Sequence, residues 1–107
     1  MNSEINNIMN VCKYIAEGKA VEEIDILLIE ELSELIKSIT KIQRWSFADE
    51  FLRCEYKDII DNIYEELADV IIMMFQFIYK NEIQEHDLLN KISGKILRYF
   101  ETKAEQK

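Results

Sequence analysis

Apolar residues recur at spacings of three and four along most of this 107-residue chain, and no proline interrupts them. Only two glycines are present to loosen a helix from within. A chain patterned in this way buries its stripes by packing helix on helix. Ile5, Ile8, Cys12 and Ile15 mark a first helix over 3–17, with Ser3 placed as N-cap and Gly18 at a left-handed C-cap position. Val21, Ile24, Leu28, Leu32, Leu35, Ile39 and Ile42 mark a second over 21–43. The pattern blurs in RWSFADEFLRCE, residues 44–55, which reads as a connection.

A third helix is expected over 56–80, with Ile60, Ile63, Leu67, Ile71, Met74 and Ile78 as its core stripe. From Val70 to Phe75 that helix is apolar all round, which calls for cover on several sides. Leu88, Ile92, Ile96 and Tyr99 mark a fourth over 87–101, with Asp87 as a capping residue and ETKAEQK as a frayed tail. The expected fold is all-α: one domain spanning 1–107, a four-to-five-helix bundle completed by oligomerisation.

With 49% apolar residues the chain is too hydrophobic to stay disordered. Its formal net charge of -8 argues against a nucleic-acid partner, because phosphate backbones are bound by basic surfaces. A small phosphorylated ligand held through a cation remains compatible with that charge. Cys12 and Cys54 form neither a metal-ligand pattern nor a disulfide framework. The opening MNSEINNIM lacks the basic and apolar regions of a signal peptide, and the longest apolar run, VIIMMF, is too short to span a membrane. The expectation is a soluble cytoplasmic protein without a membrane partner.

Four carboxylates stand out. Glu31 and Glu34 are three residues apart at the edge of the second helix's apolar stripe, whereas Glu30 points away from it. Glu66 and Asp69 repeat the spacing on the third helix, and Asp69 stands where the apolar run begins. A carboxylate in apolar surroundings is costly unless paired or coordinated. Two such pairs facing one space would repel one another and call for a positive partner or shared protons. A hard divalent cation with oxygen ligands meets that demand, and Mg²⁺ suits carboxylates combined with substrate phosphates. Acidic pairs at this spacing also arise on solvated faces, and this chain has 21 acidic residues from which to make them.

Other candidates carry less. His86, the only histidine, adjoins a helix start and reads as a surface or capping residue. No nucleophile–histidine–acid triad and no glycine-rich phosphate loop is present. Lys91, Lys95 and Arg98 can line one face of the fourth helix, either as a phosphate-receiving stripe or as an ordinary salt-bridged surface. Trp45 could stack on a base or fill an interface.

In the order ExxE, then ExxD followed by an apolar run, the chain resembles the MazG-like branch of the all-α nucleoside triphosphate pyrophosphatases. The motifs read EELSE at 30–34 and EELAD at 65–69. The resemblance covers roughly 20–100 and implies that Glu31, Glu34, Glu66 and Asp69 bind Mg²⁺, with Mn²⁺ as a substitute. It implies hydrolysis of a nucleoside triphosphate to the monophosphate and pyrophosphate by attack of water at the α-phosphorus. It also implies that Lys95 and Arg98, and less directly Lys91, approach the phosphates, and that the chain forms a homodimer or homotetramer. The separation between Glu34 and Glu66 exceeds the family's usual one, and the extra length falls in 44–55. Two other functions fit the same residues: a non-catalytic helical oligomerisation or adaptor protein, and a related metal-dependent hydrolase acting on another phosphorylated nucleotide.

Overall fold

The computed structural model describes residues 2–45 and 53–105. Among these the chain forms four helices and no strand: α1 (Asn2–Glu17), α2 (Val21–Trp45), α3 (Arg53–Lys80) and α4 (Glu85–Glu105). The expected all-α class is therefore observed. Much of the expected 44–55 connection, residues 46–52, lies outside the described residues; α2 runs through Trp45 and α3 begins at Arg53. None of the helices is long and apolar enough to cross a membrane.

Three helix ends differ from the sequence expectation. Ser3 is already helical instead of capping α1. Gly18 is not left-handed; α1 closes through tightened bonds, Gly18 N–H to the Ile15 carbonyl at 3.3 Å and Lys19 N–H to the Ala16 carbonyl at 3.0 Å. Asp87 lies within the first turn of α4, because Leu88 N–H already donates to the Gln84 carbonyl at 3.0 Å. A carboxylate there still complements the positive end of the helix dipole. At its other end α4 continues through ETKAE to Glu105, since that stretch contains no helix breaker.

Among the described residues the left-handed position is Glu82, with φ 57°. Around it Ile83 N–H reaches the Ile78 carbonyl at 3.0 Å and Glu82 N–H reaches the Tyr79 carbonyl at 3.2 Å. This nested pair is a Schellman motif, which satisfies the last carbonyls of α3 and sets the direction in which α4 leaves.

Helices α2 and α3 form an antiparallel hairpin. Asn81 meets Asp25 at one end, and Asn62 meets Ser38 further along. α1 lies along α3, its C-terminal end tied down by Lys80 Nζ donating to the Ala16 carbonyl at 3.2 Å and by Tyr79 hydroxyl donating to Glu17 at 3.1 Å. The core between the three is small: Ala16, Ile24 and Met73, with Leu27, Leu28, Phe77 and Tyr79 packed around them.

The expected core stripe of α3 is corrected by the structure. Val70, Met73 and Gln76 are the residues buried against α1 and α2, whereas Leu67, Ile71 and Met74 are 41%, 46% and 45% exposed. α3 carries two apolar faces, and periodicity finds an apolar face without telling which one the rest of the chain covers. The same holds for α1, where Cys12 and Ala16 are buried but Ile5 and Ile8 are exposed. α4 has no buried residue and packs at most marginally on the other helices.

Candidate metal centre

The α2–α3 hairpin brings Glu31 against Glu66 and Asp69. Because Glu66 and Asp69 are three apart on α3, both carboxylates leave the helix on one side, toward α2. One carboxylate oxygen from each of the three lies within 4.8 Å of the others. Glu31 and Glu66 are half-buried and Asp69 is exposed. Asp69 thus stands at the rim, not in the apolar surroundings expected from its place in the sequence; what burdens it is the nearness of two like charges.

The electrostatics show the crowding. Loss of hydration holds the Glu31 carboxyl above its ordinary range, and the charges of Asp69, Glu66, Glu34 and Glu30 push it in the same direction. Three convergent oxygen donors carrying negative charge match what a hard divalent ion requires, with remaining positions left to water or phosphate oxygens. The residues present fit such an ion.

Glu34 stands beside this set, not within it. Its carboxylate accepts a hydrogen bond from Lys37 Nζ at 3.2 Å on the exposed side of α2, and its charge still raises Glu31. Glu30 is exposed, as the helical phase requires. Lys91, Lys95 and Arg98 are exposed on α4, and among the described residues no ion pair or hydrogen bond links them to the cluster. Trp45 closes α2, and its side chain lies outside the described ones. His86 is exposed, with Asn90 at 3.4 Å and Asp87 at 3.9 Å.

Two polar contacts that position the hairpin and α1 were not singled out in the sequence. Asn62 Nδ2 donates to Ser38 Oγ at 2.9 Å across the α2–α3 seam, on the helices that carry Glu31 and Glu66. Lys19 Nζ donates to Gln76 Oε1 at 3.2 Å, satisfying a glutamine that is 2% exposed. Gln76 had a visible signal, a lone polar residue inside MMFQFI.

Comparison of the chain with family models, with curated proteins and with solved structures yields no match in any of the three. Fold and site define a class: an all-α helical protein, broadly consistent with an all-α nucleoside triphosphate pyrophosphatase fold, with an acidic cluster that could coordinate a divalent metal.

Proposed function

We propose that this chain is a MazG-like, Mg²⁺-dependent nucleoside triphosphate pyrophosphohydrolase, cleaving an NTP or dNTP to the monophosphate and pyrophosphate. One observation carries the reading: Glu31 of the ExxE pair on one helix and both carboxylates of the ExxD pair on the next, Glu66 and Asp69, converge to within 4.8 Å. Glu31, Glu66 and Asp69 would hold the ion, with Glu34 beside them. When bound, a divalent cation polarises phosphate oxygens and acidifies water. Either Glu34 or Glu31 orients the attacking water or takes its proton. Water adds at the α-phosphorus, the bond to the bridging α–β oxygen breaks, and the pyrophosphate departs. Lys95 and Arg98, with Lys91, stabilise the leaving pyrophosphate, and Trp45 stacks on the base.

The test is product analysis of the folded protein against a panel of NTPs and dNTPs, with Mg²⁺ and with EDTA. Release of monophosphate and pyrophosphate that requires Mg²⁺ is the expected result. Turnover insensitive to EDTA, or release of orthophosphate, would overturn the proposed reaction. The broad exposed apolar faces of α3 and α4 favour a second reading, a non-catalytic helical oligomerisation module. That reading requires no specific Mg²⁺ or nucleotide binding and no turnover of any panel member.

A further inference from the structure

Glu34 has the spacing of a fourth ligand without the position of one. Each residue of α2 turns about 100° from the last, so Glu34 lies about 60° round the helix from Glu31, and Lys37 about 60° further in the same sense. A glutamate side chain spans such an offset by changing rotamer. Helical phase alone therefore leaves Glu34 free to turn toward Glu66 and Asp69 or away from them. It turns away. The convergent set is Glu31, Glu66 and Asp69, and Glu34 Oε1 accepts a hydrogen bond from Lys37 Nζ at 3.2 Å.

That pairing is not one of many. The chain has 13 basic and 21 acidic residues, yet among the described residues Lys37 and Glu34 form the one ion pair between a lysine or arginine and a carboxylate. It also falls where carboxylates are most crowded. Asp69, Glu66, Glu34 and Glu30 all lie near enough to act on Glu31. Lys37 engages one of these four and draws it from the rest.

We propose that Lys37 is a positioning residue: by holding Glu34 on the outer side of α2 it keeps that carboxylate out of the metal centre, so a divalent ion is met by three carboxylates instead of four. The inference rests on the metal-dependent reading above. The side chains of Lys37 and Glu34 are 69% and 52% exposed, so the hold is weak and water competes with it. Without Lys37, the charge that draws Glu34 is that of a bound ion, and Glu34 would turn inward to join it. A further carboxylate tightens binding of a hard cation. It also fills a position otherwise left to water or a phosphate oxygen, and it withdraws Glu34 from the handling of a proton. Lys37 therefore lowers affinity for the ion and leaves the site more open.

The test is a double-mutant cycle, read by calorimetric titration of the full-length protein with Mn²⁺. Lys37→Met keeps an unbranched side chain and removes the charge. It is expected to tighten Mn²⁺ binding about two- to fivefold, the range that exposed ion pairs span. In the Glu34→Gln background the same substitution is expected to change binding little, because no carboxylate remains to be released. Lys37→Arg keeps a cation at the position and is expected to bind as wild type does. Lys37 is exposed, and each variant is expected to keep the helical circular dichroism of wild type. An equal gain in both backgrounds would show that Lys37 acts through long-range charge alone, and no gain in Lys37→Met would show that it restrains nothing; either result overturns the proposal. A folded wild type that binds no Mn²⁺ would overturn the metal centre itself, and this role of Lys37 with it.

Discussion

Asn62 of α3 donates a hydrogen bond to Ser38 of α2 at 2.9 Å, in the same antiparallel register that sets Asp69 against Glu31. Ser38 is buried and Asn62 half-buried, so water can replace neither partner freely. The pair ties one helix to the other about two turns from the carboxylates and opposes sliding of the seam.

Ser38→Ala removes the acceptor and leaves the Asn62 amide unsatisfied. The expected loss is about 1 kcal/mol of unfolding free energy, read as a lower urea midpoint at unchanged slope. Affinity for Mn²⁺, a convenient probe of the cluster, should fall with it as the register loosens. An unchanged midpoint would show that the bond contributes nothing net.

The carboxylates should divide into two groups. Glu66→Gln, Asp69→Asn and Glu31→Gln each remove a donor from the convergent set and should weaken divalent-ion binding on the order of tenfold or more, since ligand charge sets affinity for hard cations. Glu34→Gln removes a carboxylate already engaged by Lys37 and should change binding far less, while lowering turnover if Glu34 handles the proton. Calorimetric titration with Mg²⁺ and Mn²⁺ checks the first statement and single-turnover kinetics the second. Equal losses of binding in all four variants would place Glu34 inside the coordination set.

Much of this arrangement was legible in the residues. The four helices follow from spacing and the absence of breakers, and the convergence of Glu31 with Glu66 and Asp69 follows from helical phase, although the same reasoning also put Glu34 in the set and Asp69 in apolar surroundings. What periodicity left open was the choice between faces. Leu67, Ile71 and Met74 form as regular a stripe as Val70, Met73 and Gln76, and the packing of α1 and α2 selected the latter. That choice depends on where two other helices lie, which is tertiary information. The turn at Glu82 was hidden for a different reason: glycine advertises a left-handed position, and here the position is filled by glutamate.

Crowding at Glu31 gives a pH signature. Its carboxyl is raised in the folded protein by lost hydration and by neighbouring carboxylates. The folded state therefore holds the proton more tightly than the unfolded chain does. The stability this group contributes is fully present below the unfolded value and is lost as pH rises through the folded one. Above that window the ionised cluster is a net repulsion. Metal-free wild type should thus gain stability relative to Glu31→Gln as pH is lowered through the carboxylate range, and the difference should shrink on adding Mg²⁺, which neutralises the same charges. Parallel melting-temperature profiles for the two proteins, with and without Mg²⁺, would contradict the assignment.

Glu82 offers the last test, because its backbone strain is local and its side chain is exposed. A non-glycine residue in the left-handed region gives up about 1 kcal/mol or more to contact between Cβ and its own backbone. Glycine removes that contact but also widens the freedom of the unfolded chain, which returns roughly half of the gain. Glu82→Gly should therefore stabilise the protein by about 0.5–1 kcal/mol, with both bonds of the Schellman turn kept. Glu82→Ala retains the Cβ and should be close to neutral, which separates backbone strain from loss of a charge. Both variants need comparison with wild type at one protein concentration, since any self-association would make melting concentration-dependent. If glycine destabilised the chain while alanine did not, the turn would be unstrained at Glu82, and the direction of α4 would have to be set by the contacts of α4 itself.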